Sequence, residues 1–197
     1  MLFRSNYVYN SNEVAMLVGC DNYIGYSSFS TILGGASNCI ESFSENSSII
    51  GGRDNRIDYN ADQSVIVGGK NSCVCDNSFN STVIGSGNST NKRNQQSSIV
   101  GGYANYIHDS ANASIIGGYY NTLSHSDQSS IIGGHNNQMS YSYRSAIIGG
   151  NNLTLNSTND TVLVKNMVAS SDVIVSNMPT NPKSVGTLWN DYGFVKI

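Results

Sequence analysis

Chemistry in this chain would have to come from a few side chains. The sequence has 197 residues, among them three histidines, His108, His125 and His135, and four cysteines, Cys20, Cys39, Cys73 and Cys75. Imidazole moves protons near neutral pH and holds transition metals, and a thiolate is a nucleophile or a soft metal ligand. The spacing argues for neither use. Counted from the first glycine of a repeat described below, the histidines stand at positions seven, eight and two, so they are expected on no common face, and no His-x-His occurs. Serine is too abundant for any Ser/His/Asp set to stand out. Cys73-Val74-Cys75 lacks zinc-ligand spacing and a second ligand pair. The four thiols allow pairings on paper, but Cys39 and Cys73 share one repeat position, just before an inward apolar residue. They read as small, reduced filler. The expectation is a protein that is not an enzyme and holds no metal and no cofactor.

The paired glycines are not phosphate loops, because neither Lys-Ser/Thr nor a helix follows them. The aspartates are too scattered for calcium-binding nonapeptides. Tyr103, Tyr106, Tyr119, Tyr120, Tyr141 and Tyr143 cluster in the second half near turns. There they either contact a sugar or protein partner or cover the edges of the structure. Asn-x-Ser/Thr triplets begin at Asn46, Asn80, Asn88, Asn112, Asn156 and Asn159, as expected by chance in a chain so rich in Asn and Ser.

Only 12% of residues are charged, about half the share of an ordinary soluble domain. The net charge is -3 and no basic cluster exceeds Lys92-Arg93, so no nucleic-acid partner is expected. The first residues lack the pattern of a signal peptide, and no apolar run approaches the roughly 18 residues of a membrane helix. A protein made in a cytoplasm and not inserted into a membrane is expected.

What must position every side chain is a repeat. Ser129-Ser130-Ile131-Ile132-Gly133-Gly134-His135-Asn136-Asn137 returns along the chain, with first glycines at Gly34, Gly51, Gly68, Gly101, Gly117, Gly133 and Gly149 and degenerate copies around Gly19 and Gly85. The steps are 15, 17, 17, 17, 16, 16, 16 and 16. Self-similarity at a short fixed period marks a stacked-coil architecture. The residue three before the glycine is usually Ser or Thr (Thr31, Ser48, Thr82, Ser98, Ser114, Ser130). The residue four after it is usually Asn (Asn38, Asn55, Asn105, Asn121, Asn137), and the residue six after it is apolar (Ile40, Ile57, Val74, Ile107, Leu123, Met139, Leu155). Short β-branched bursts bounded by Gly, Asn and Ser predict two short strands per coil. The glycines and the Asn are expected at the corners, because both tolerate the left-handed backbone region. One-residue deletions after Gly19 and Gly85 should shorten a corner and leave the strands alone.

Each copy carries an apolar pair before the glycine: Ile32-Leu33, Ile49-Ile50, Ile66-Val67, Ile99-Val100, Ile115-Ile116, Ile131-Ile132 and Ile147-Ile148. Neighbours in a strand face opposite ways. One of each pair belongs to the core, and the other builds an outward apolar stripe too large to leave wet. The favoured cover is the same stripe on other copies of the chain; a flattened coil that buries both residues is the alternative. The expected fold is an all-β parallel β-roll or β-solenoid of about nine coils, near 43 Å long at about 4.8 Å per coil. Its domains are a cap or attachment segment at 1–14, the repeat at 15–164, and strands with a hairpin cap at 165–197. After Asn159 the repeat fades: Thr161-Val162-Leu163-Val164 and Asp172-Val173-Ile174-Val175 predict strands, Met178 to Pro182 a junction, and Val185 to Ile197 a hairpin turning at Asn190 to Gly193.

Repeats of the form Ser-Ile-Ile-Gly-Gly-x-x-Asn resemble the left-handed β-roll of trimeric autotransporter adhesin heads, and more closely the β-roll segments of phage and virus fibre proteins. The ending Gly186-Thr187-Leu188-Trp189-Asn190-Asp191-Tyr192-Gly193-Phe194-Val195-Lys196-Ile197 is similar to short segments of phage structural proteins. The resemblance implies a parallel homotrimer that serves as a virion structural protein, a fibre or decoration component. Its partners would be itself, other virion proteins and a host surface glycan or protein. A bacterial trimeric adhesin-like surface protein is the alternative. An ice-binding solenoid ranks lower, because Val65 and Ala146 interrupt the Ser/Thr column it would need.

Overall fold

The computed structural model describes residues 6–16, 18–85, 87, 89–91, 93–164, 189–191 and 194–196. Met1–Lys165 and Asn166–Ile197 form separate compact units. In the first unit the apolar bursts become strands of two or three residues that alternate between two sheets. One sheet runs from Tyr7–Tyr9 to Thr154–Asn156 and the other from Ala15–Met16 to Val162–Val164, ten strands in each. Every pairing is parallel and joins equivalent residues of successive coils, as when Ser114–Ile116 lies between Ser98–Val100 and Ser130–Ile132. The molecule is an all-β, parallel β-solenoid of about nine turns, with no helix among the described residues. Ten strands at the usual spacing span about 43 Å.

In-register stacking turns each repeat position into a column. The second residue of these strands points inward along most of the ladder, with Val8 of the first strand an exposed exception. Ile32, Ile49, Ile66, Val83, Ile99, Ile115, Ile131 and Ile147 line one side of the core, and Ile24, Ile40, Ile57, Val74, Ile107, Leu123 and Met139 line the other, all at 0% exposure. Burying one such side chain contributes about 1.5–3 kcal/mol.

The corners are held by buried polar columns. Asn38, Asn55, Asn121 and Asn137 are fully buried, and none of them has a left-handed backbone. The left-handed residue is the one before each: Ser37, Asp54, Tyr120 and Asn136, with φ of 55°, 56°, 55° and 53°. The expected reason for Asn at this position is therefore corrected. Its Oδ1 accepts the backbone N–H of the equivalent residue one turn on, 3.1 Å for Asn121 on Asn105 and 3.0 Å for Asn137 on Asn121. Its Nδ2 donates to a glycine carbonyl of the next turn, as from Asn121 to Gly134 at 3.3 Å. A short, rigid amide is the side chain that can satisfy both groups, which in a dry corner would otherwise be orphaned.

Two serine columns do the same at the opposite corner. Ser126 N–H donates to Ser110 Oγ and Ser142 N–H to Ser126 Oγ, each at 3.0 Å. In the second column Ser64 N–H donates to Ser47 Oγ at 3.1 Å, while Ser47 Oγ donates to the Ala61 carbonyl at 3.0 Å. These buried serines stand about four and seven residues before the first glycine, in the polar stretch between one apolar residue and the next apolar pair.

The ladder starts earlier than residue 15, since Tyr7–Tyr9 already pairs with Tyr23–Gly25. The copy around Gly19 is also shifted. Met16 pairs with Ile32 and Cys20 with Ala36, which puts Gly19 in the column of Gly35 rather than Gly34. The step there is sixteen residues, not fifteen, and the deletion expected after Gly19 is absent. The strand 162–164 forms as expected. In the second unit Trp189–Asp191 pairs antiparallel with Phe194–Lys196, so the hairpin closes between Asp191 and Phe194, one residue later than expected. The strand expected at 172–175 and the junction at 178–182 lie outside the described residues.

The two glycines of each pair differ. Gly117 and Gly118 both have left-handed φ, 69° and 82°. A Cβ on Gly117 would meet nothing within 4 Å, whereas one on Gly118 would run into Asn121 Nδ2 and the backbone carbonyl of Gly134. Gly117→Ala is expected to cost about 1–2 kcal/mol, the left-handed penalty alone. Gly118→Ala should cost about twice that or more, because a close-packed backbone must also move. Urea unfolding of the two variants checks this, and equal losses would contradict the column packing.

Candidate functional site

The last residue of each three-residue strand in the second sheet faces out. Leu33, Ile50, Val67, Ile84, Val100, Ile116, Ile132, Ile148 and Val164 stand in one unbroken register. Apart from the half-buried Val67, they are 36–48% exposed. Within each apolar pair the first residue is therefore core and the second is surface, and a coil flattened to bury both is not what forms. Beside the stripe runs a column of partly buried Thr31, Ser48, Val65, Thr82, Ser98, Ser114, Ser130 and Ala146. The corner glycines follow directly, with no side chain to shield it. A continuous apolar ridge of this length is the kind of surface on which interaction sites are built.

A second feature contradicts the sequence reading of the histidines. His108 ends the strand Tyr106–His108 and pairs with Ser124 of the next turn. His125 follows Ser124 with a left-handed φ of 47°. The two imidazoles meet edge to face with centroids 5.6 Å apart. Positions seven and eight do share a face when they sit on successive turns at a strand end, because one coil rises by only about 4.8 Å. The signal was a separation near one coil length, which counting positions within a repeat overlooked. Asp109 lies against both rings: its Oδ2 is 3.4 Å from His108 Nδ1 and 3.5 Å from His125 Nε2. Its Oδ1 takes the Arg93 guanidinium at 2.6 Å. Burial pushes the Asp109 carboxyl up, but hydrogen bonds from Arg93 and His108 and the charges of Arg93 and His125 outweigh it and hold the pKa below the ordinary value. His135 stands apart, against Tyr120 and Asn151.

Aromatic side chains stack along the corners. Tyr103 and Tyr120 meet at 6.1 Å, and Tyr141 lies flat on His125 at 4.7 Å and 18°. Sequence reasoning missed an equivalent ridge in the first half, where Tyr9 and Tyr26 meet at 5.3 Å and Tyr26 and Phe43 at 6.0 Å. Tyr26 and Phe43, with Tyr59, frame a hollow of about 410 Å³. Their spacing by one coil was the available signal. Among the Asn-x-Ser/Thr positions, Asn88 lies outside the described residues.

Cys20 and Cys39 are free, whereas Cys73 and Cys75 form a disulfide, which corrects the reduced-filler reading for that pair. Alternate strand residues point the same way, so this pair shares a face around the inward Val74. Cys39 sits beside Glu41, Arg56 and Asp58. Arg56 bridges the two carboxylates, at 2.7 Å from Glu41. Burial, then the negative charge of Glu41, pushes the Cys39 thiol up to about 12. Near pH 8 almost no thiolate exists there. Iodoacetamide is expected to modify Cys39 at least about tenfold more slowly in the folded chain than in urea. Peptide mapping reads this out, and equal rates would refute the buried, anion-facing placement.

No protein-family model matches the chain and no curated protein matches it; what it does must be read from its own residues.

Proposed function

We propose that the protein is a structural rod that associates with copies of itself through the outward face of the second sheet and serves as a rigid fibre or decoration component of a virion. The observation that carries this reading is the apolar column from Leu33 to Val164. It is regular, uninterrupted, flanked by small residues, and poor in the charge that normally keeps such a surface apart from its own kind. Identical rods aligned in parallel present identical columns, so burying one buries all. The resemblance of the repeats to fibre β-rolls implies three chains and a virion setting. Attachment to a host glycan or protein would fall to the exposed tyrosine corners. The role is mechanical display rather than catalysis. A bacterial trimeric adhesin-like protein would use the same face at a cell surface, and immunogold labelling of particles against cells separates the two.

Light scattering on the purified chain is expected to give three times the 21.1 kDa chain mass. Ile116→Asp combined with Ile132→Asp, both on the outward column, should give a monomer with an unchanged circular dichroism spectrum. A wild-type monomer overturns self-association and leaves the flat Ser/Thr and apolar face to be tested for ice binding. A double variant that stays trimeric places the interface elsewhere.

A further inference from the structure

We propose that His108, Asp109 and His125 form a binding site for a divalent transition-metal ion, with zinc the best fit to the ligand set. This goes beyond the structural role above and does not depend on self-association. Each residue offers one ligand atom, and the three atoms lie within 4.8 Å of one another. A tetrahedral ion with bonds of about 2.1 Å holds its ligands about 3.4 Å apart. The distances from Asp109 Oδ2 to the two ring nitrogens, 3.4 and 3.5 Å, are those of a tetrahedral edge. Two imidazoles and one carboxylate suit zinc, cobalt, nickel or copper rather than calcium or magnesium, which prefer all-oxygen sets.

The surroundings hold the ligands in place. Ser124 Oγ lies 2.9 Å from His125 Nδ1. A hydrogen bond donated from that nitrogen leaves Nε2 with its lone pair toward Asp109. Tyr141 stacks on the His125 ring, and the Tyr106 ring lies 5.0 Å from that of His108. Arg93 binds Asp109 Oδ1 and so directs the other oxygen at the imidazoles. His108, Asp109 and His125 side chains are 26%, 13% and 37% exposed, which desolvates the ligands without sealing them off. Asp109 and His125 also line an open hollow of about 500 Å³, through which an ion and a fourth, solvent ligand can enter. A plain ion-pair cluster would need only Arg93 and one carboxylate oxygen. It gives no reason for two ring nitrogens to converge on the other.

Titration of the full chain with Zn²⁺, followed by the imidazole ¹⁵N resonances, tests the site. One equivalent should shift the signals of His108 and His125 and leave those of His135 in place. Each of His108→Gln and His125→Asn should weaken binding by about tenfold or more. Asn is chosen at 125 because it tolerates the left-handed backbone there, and circular dichroism reports whether either variant folds. Absence of saturable binding up to about 100 μM, equal shifts at all three histidines, or undiminished binding in both folded variants would each overturn the proposal.

Discussion

Everything in this molecule depends on the requirement that a coil stack on its own copy about 4.8 Å away without leaving a backbone group unpaired. In the strands the sheet ladder meets it. At the corners the ladder persists only in part, as where Tyr119 N–H donates to the Gly134 carbonyl and Tyr120 N–H to that of Tyr103, and the buried side chains of Asn and Ser take the groups it does not reach. Asn137 N–H donates to Asn121 Oδ1 at 3.0 Å, and Ser145 N–H donates to Ser129 Oγ at 3.1 Å. A buried polar group without a partner costs about 1–3 kcal/mol, and the demand recurs at each corner of each turn. The composition, rich in Asn, Ser and Gly and poor in charge, is the sum of these local demands rather than a sign of disorder.

The same register makes the outside as periodic as the inside. A substitution tolerated once in an ordinary surface would here be one rung of a ridge. An apolar residue at the end of each strand becomes an apolar line, and corner aromatics one coil apart become stacked edges, as in Tyr9, Tyr26 and Phe43. Surface chemistry is thus built from columns. A site needs residues from two or more turns, which is how Arg93, Asp109 and His125 come to adjoin one another from three successive turns.

The breaks in the pattern are as informative as the pattern. Where Ala61 and Ala113 replace a column serine, the backbone N–H still reaches the serine of the turn before, Ser44 at 3.1 Å and Ser97 at 3.3 Å. A ladder therefore survives one missing rung in one direction. Left-handed corners accept Tyr, Phe, His and Arg as well as Asn, for example at Tyr26, His125 and Arg144. The strain is modest at each, about 1–2 kcal/mol, and the surrounding ladder holds the backbone in place. Those corners are where bulky, chemically capable side chains reach solvent.

The spacing of first glycines and the apolar pairs determined the solenoid, its two strands per coil, its parallel register and the presence of one inward and one outward residue in each pair. These follow from local facts: a two-residue alternation, a fixed period and the turn preference of glycine. The sequence by itself did not decide which Ile of a pair is core, since Ile131 and Ile132 are chemically identical and only closure of the coil distinguishes 0% from 42% exposure. It did not reveal why Asn137 or Ser129 is where it is, because a side chain that bonds the next turn looks like any turn residue when one repeat is read alone. Nor did it bring His108 to His125, or Cys73 to Cys75. Those meetings depend on where the chain bends and on which neighbour the rise of one coil sets alongside, and these are properties of the stacked structure rather than of any single repeat.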